Sequence, residues 1–120
     1  MGTQALTRVY DEYGHCLMCM HTQYDGYVED GYGDELVAFL KDKVVLDGFL
    51  DETLETSFNG LGCLAAAVVV HFKKDIGNTY LMPMEGLAGY EYEYHVYVDE
   101  HGFINVDVID NGNTRKLLPL

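Results

Sequence analysis

The sequence predicts an α+β domain: a mostly antiparallel sheet of four to five strands with two helices on one face, in the order β-β-α-α-β-β-β. Three observations predict it. Strand-like stretches occupy both ends of the chain. Two helix-like stretches fall between them. The segment "YEYEYHVYVDEHGFINVDVID" (90–110) alternates with a period of two on each side of a turn. At 120 residues the chain reads as one domain over 1–120, able to bury a core without a metal or disulfide staple.

Thr3 to Tyr10 reads as the first strand. Asp11 to Gly14 supplies turn residues, and His15 to Gln23 returns as the second strand of a hairpin. A glycine-rich loop follows. Asp34 is placed to cap a helix running to about Lys43, with Leu36, Val37, Phe39 and Leu40 on its apolar stripe. Val44 to Phe49 suits strand or loop equally, and Asp51 to Ser57 reads as acidic loop.

"FNGLGCLAAAVVVHFKK" predicts the second helix. Asn59 is its N-cap, Ala65 to Ala67 favour it, and Lys73 and Lys74 suit its C-terminal dipole end. Apolar nearly all round, it is expected to be central and well buried. Gly77-Asn78 ends it, and Thr79 to Met82 reads as a short strand. In the final hairpin Tyr90, Tyr92, Tyr94, Val96 and Val98 share one face, joined by Ile104, Val106 and Val108. Glu91, Glu93, His95, Asn105 and Asp107 face the other way. Residues from Asn111 to Leu120 are expected to be loosely held.

Charge is the strongest number. Twenty acidic residues against seven basic give −13. Such a chain is a poor direct ligand for nucleic acid or anionic membrane, which are bound through Lys and Arg. Its expected partner is a basic protein. From Asp25 to Glu55 ten acids meet two lysines, a net −8 and over half of the total. Tyrosines interleave with these acids, and the chain holds ten in all. Clustered carboxylates offer a coarse copy of the duplex field to a basic cleft, and tyrosines add contact area. The plain alternative is a solvated acidic face over core tyrosines.

Other chemistry is weaker. Cys16, Cys19, His15 and His21 resemble metal ligands by type. On a regular strand positions 16 and 19 point to opposite faces, so the thiols are expected to diverge and to pack as small apolar groups. Cys63 sits at a helix start in an apolar context that favours a packing role. "FNGLGC" lacks the Gly-Lys-Ser/Thr ending of a P-loop. Carboxylate pairs such as Glu91 with Glu93 are too common here to single out hydrolysis, and "DGYVEDGYGDE" lacks EF-hand spacing. No catalytic residue, metal or cofactor is expected. "MGTQALTRVY" has no apolar signal core, and no apolar run is long enough to span a bilayer, so a cytoplasmic protein with free thiols is expected.

The stretches "MGTQALTRVYDEYG", "YDGYVEDGYGDEL", "FNGLGCLAA" and "YEYEY" cover most of the chain. Together they resemble a family of small phage and bacterial proteins with no assigned activity. Its pattern runs MGTR, YRQ-DGYP--HG--L, FNG-GCLAA and -EY-Y. Gly2, Thr3, Gln23, Asp25, Gly26, Tyr27, Gly33, Leu36, Phe58, Asn59, Gly60, Gly62, Cys63, Leu64, Glu91, Tyr92 and Tyr94 match it. Gln4, Thr22, Val28 and Tyr32 depart from it, so a basic or histidine-dependent site in the family would be incomplete here. The phage association implies an inhibitor of host defence, such as an anti-CRISPR protein, acting in an infected bacterial cell.

The leading expectation is therefore a non-enzymatic acidic inhibitor that blocks a basic nucleic-acid-binding surface. Its contact residues would be Tyr24, Asp25, Tyr27, Glu29, Asp30, Tyr32, Asp34 and Glu35. The alternative is a small-molecule or nucleotide-binding domain, even a hydrolase. It would have a pocket between the "YDGY" loop and the "FNGLGC" helix start, lined by Arg8, Gln23, Asn59, Glu91 and Tyr92. A third reading is self-association through an open sheet edge.

Overall fold

A computed structural model describes residues 2–46, 57–85 and 89–120. Within them the order is β1 (Ala5–Tyr10), β2 (Cys16–Thr22), α1 (Tyr32–Leu40), β3 (Val44–Leu46), β4 (Ser57–Asn59), α2 (Gly60–Phe72), β5 (Thr79–Leu81), β6 (Tyr92–Val98), β7 (Ile104–Asp110) and β8 (Asn113–Leu118). The class is α+β. The main sheet has six strands in the order β5-β2-β1-β6-β7-β8, beyond the four to five expected. All its pairings are antiparallel except β1 with β6. β3 and β4 form a separate parallel pair.

One sheet face makes the core. Ala5, Val9, Met18, Met20, Tyr94, Val96, Val106 and Val108 alternate inward and meet Tyr32, Leu36 and Leu40 of α1 and Leu61, Leu64, Ala65 and Val68 of α2. Both helices thus cover the same face, as the strand alternation demands. Each aliphatic side chain buried this way contributes roughly 1.5–3 kcal/mol.

The extra strand is the tail. β8 pairs with β7 through an Asn111-Gly112 turn whose two central residues have φ of 51° and 84°. Asn-Gly is the favoured sequence for that two-residue hairpin turn. The tail looked loose because "NTRKLL" alternates poorly, and only Leu118 in it is buried. Backbone pairing holds an edge strand whose side chains face water.

Three further expectations change. Helix α1 begins at Tyr32, with Gly31 as N-cap, and ends at Leu40. Asp34 sits in its first turn and accepts a hydrogen bond from the Asp30 backbone N–H at 2.8 Å, so it ties down the entry to the helix. Tyr90 precedes β6 and lies on the outer face, where its hydroxyl meets His21 Nδ1 at 2.8 Å. Helix α2 is not buried all round: Val70 is 77% exposed. Of the stretch between β3 and β4, positions 47–56, including Asp47, Phe49, Asp51, Glu52 and Glu55, lie outside the described residues.

The second strand also departs from simple alternation. Tyr10 pairs with Cys16 and Val9 with Met18, so Leu17 is an extra residue, a β-bulge. The bulge turns Cys16 to the same outer face as Cys19. Their Sγ atoms lie 3.6 Å apart instead of diverging. The period-of-two argument fails at a bulge because one residue is left unpaired and the face count slips by one.

Candidate binding site at the acidic loop

The loop between β2 and α1 is built on backbone contacts to the sheet. Gly26 N–H donates to the Thr3 carbonyl at 2.9 Å, and the Tyr94 hydroxyl donates to the Gly26 carbonyl at 2.7 Å. A Cβ at Gly26 would stand 2.9 Å from the Ala5 nitrogen, so only glycine lets the loop approach β1 this closely. Farther on, Tyr32 N–H donates to the Asp25 carbonyl at 2.8 Å and Gly33 N–H to the Tyr27 carbonyl at 3.1 Å. Asp25 and Asp30 hold φ of 59° and 57°, a left-handed backbone that Asp tolerates better than most residues.

Two of the loop's neighbours are core anchors. Tyr32 is buried, its hydroxyl 2.6 Å from Thr7 Oγ1, its ring edge-on to Tyr94 and tilted against Phe72. Burial pushes its phenol well above the ordinary range. Tyr32, expected among the contact residues, is thus chiefly a core residue, 4% exposed, and reaches the surface only where it lines the cavity described below. The core claims it because its hydroxyl has a buried partner.

The remaining acids divide by partner. Glu29 pairs with Arg115 at 3.0 Å, and Glu35 lies 3.4 Å from His71 and 4.0 Å from Lys74. Asp25, Asp30 and Asp34 have no ion pair among the described residues. Asp25 instead accepts the Tyr27 hydroxyl at 3.2 Å. The charge of Asp25 and that hydrogen bond raise the Tyr27 phenol above its usual value, with a further contribution from Asp30. The loop's negative field is thus felt by its own side chains.

These groups surround a cavity of about 190 Å³, lined by Thr22, Tyr24, Asp25, Asp30, Gly31, Tyr32, Glu35, Phe72, Asn78 and Thr79. Asn78 Oδ1 accepts from the Tyr24 backbone at 3.0 Å, which fixes the tyrosine side of the rim. Thr22 is 4% exposed, and its Oγ1 has no hydrogen-bond partner among the described residues. Thr22, Asn78 and Thr79 were not among the expected residues. They come from the ends of β2 and β5, whose pairing no local pattern announces.

The alternative pocket does not assemble. Arg8 lies on the outer sheet face, its Nε 3.1 Å from Glu93 Oε1, which in turn is 3.2 Å from His95 Nε2. Asn59 precedes α2, on the helix-covered side. Tyr92 packs against the core, and Glu91 is exposed ahead of β6. Gln23 is tied by its backbone to Asn78 at 2.9 Å. Opposite sheet faces separate Arg8 from Asn59, so among the described residues these five do not line one pocket.

Among the described residues no helix is long and apolar enough to cross a membrane, and no three His, Cys, Asp or Glu side chains converge as metal ligands. Compared with protein-family models, curated proteins and solved structures, the chain matches none.

Proposed function

We propose that this protein is an acidic binding protein whose 24–35 loop engages a basic, nucleic-acid-binding surface of a partner protein and seats one of its Arg or Lys side chains in the cavity. One observation carries the reading: Asp25, Asp30 and Glu35 rim one small cavity, and Asp25 and Asp30 have no ion pair among the described residues. Oxygen acceptors gathered around a small concavity suit a group made of N–H donors and positive charge. A guanidinium carries five such donors in a fixed fork. The volume lies below the roughly 300–1,000 Å³ of drug-sized ligand sites, which favours a single side chain over a nucleotide.

Exposed Tyr24 and half-buried Tyr27 would supply contact area beside the charges, and Asp34, without an ion pair among the described residues, would extend the field. The net charge of −13 steers a basic partner at a rate that falls with salt. An inhibitor of host defence, such as an anti-CRISPR protein, is the form of this reading that the resemblance to phage proteins favours. Basic nucleic-acid clefts are what those defences must keep open. A free small amine would satisfy the same acceptors, and it is the competing reading.

The test uses the Asp25→Asn, Asp30→Asn, Glu35→Gln variant, which keeps shape and lets asparagine hold the left-handed backbone. Parent and variant are immobilised, exposed to bacterial lysate, and eluted with a salt gradient. The proposal expects basic proteins held by the parent, displaced by duplex DNA, and lost from the variant at low salt. Equal retention by the variant would refute the loop as the contact. Binding of agmatine by the parent with no protein retained would select the small-amine reading.

A further inference from the structure

We propose that Cys16 and Cys19 form a redox-active dithiol on the outer sheet face, one that reduces a low-molecular-weight disulfide of the glutathione type and closes to an intramolecular disulfide. The bulge at Leu17 sets both side chains on one face, and their Sγ atoms stand 3.6 Å apart. A disulfide needs about 2.0 Å, so the sulfurs must close by about 1.6 Å. Cys16 is partly exposed and Cys19 is buried, which distinguishes their roles.

Cys16, the less buried of the two residues, is assigned the reaction with the outside reagent. Its thiolate attacks one sulfur of oxidised glutathione, the S–S bond breaks, and the first glutathione leaves and takes up the proton Cys16 released. Cys19 then attacks Cys16 Sγ in the mixed disulfide. The second glutathione leaves and takes the Cys19 proton. Two protein thiols are oxidised and one glutathione disulfide becomes two thiols, so electrons and protons balance.

Arg8 serves the second step. Its Nη1 lies 3.3 Å from Cys19 Sγ, placed to stabilise negative charge there as Cys19 becomes the attacking group. Burial, and then the neighbouring Cys16, push the Cys19 thiol up to about 11. At neutral pH Cys19 is therefore held as the thiol. Arg8 also donates to the Met84 carbonyl at 3.2 Å, just after β5. The third cysteine, Cys63, lies on α2 and serves as an internal control.

The experiment incubates the full chain with oxidised glutathione at neutral pH, quenches with acid, unfolds, alkylates, and measures intact mass. The parent is expected to fall from three alkylatable thiols to one, lighter by a pair of hydrogen atoms before alkylation and with no retained glutathione. Cys63 should carry the surviving label. Cys19→Ser is expected to trap glutathione on Cys16, and Cys16→Ser to leave Cys19 unmodified. Three surviving thiols in the parent, a lasting glutathione adduct, or a disulfide between two chains would each overturn the proposal. The parent result needs no substitution, so a variant that fails to fold does not shield it.

Discussion

Asp25 does two things at once: it sits at φ 59° to turn the chain, and it holds the Tyr27 hydroxyl at 3.2 Å. The second produces a measurable signature. The carboxylate disfavours the neighbouring phenolate, so the Tyr27 pKa stands above its ordinary value. Replacing Asp25 with Asn removes the charge and keeps the turn. The Tyr27 phenol should then ionise at a lower pH than in the parent, as read from its ring carbon in an NMR titration. An unchanged midpoint would mean that the loop's field is too weak for the role given to it. At this scale the sequence was a mixed guide. It showed tyrosines among acids, but not that Tyr32 has a buried partner in Thr7, 25 residues away.

Helix α1 depends on how closely its first turn meets the sheet. A Cβ at Gly33 would stand 2.8 Å from the Tyr94 hydroxyl oxygen and 2.8 Å from Val28 Cα. Gly33→Ala should therefore displace the helix start, with a loss of about 1–3 kcal/mol in denaturant unfolding. A variant as stable as the parent would show that the loop accommodates the methyl group without strain. Gly26 and Gly33 were visible in the sequence as breakers. Their reason for being glycine is the close approach of β1 and Tyr94, which no local pattern contains. The hairpin β6–β7 was legible from Tyr92 onward because alternation and turn residues are local properties, while Tyr90, ahead of it, lies on the outer face. The turn of β7–β8 was legible too, in Asn111-Gly112, but the polarity of the strand beyond it hid the signal.

The whole molecule carries twenty acids against seven basic residues. Among the described residues Arg8, Lys74, Arg115 and Lys116 already pair with carboxylates. Net repulsion should outweigh these mostly surface pairs, each worth at most about 1 kcal/mol. Raising sodium chloride from low to physiological strength should then stabilise the fold, by about 1 kcal/mol or a rise of about 4 °C in Tm. A fall in Tm with salt would show that ion pairs dominate. The same screening should slow capture of a basic partner, so stability and association are expected to move in opposite directions with salt.

By itself the sequence determined the class, the two helices, the chief hairpins and the sign of the surface, because periodicity, turn chemistry and charge are written residue by residue. Tertiary structure decided what those features meet. It paired β1 with β6 across 80-odd residues, gathered Thr22, Asn78 and Thr79 beside the acidic loop, and put Arg8 and Asn59 on opposite faces. It also brought two thiols together through one unpaired residue. Long-range pairing and register set these distances, and a one-residue slip in register turns a side chain from one face to the other.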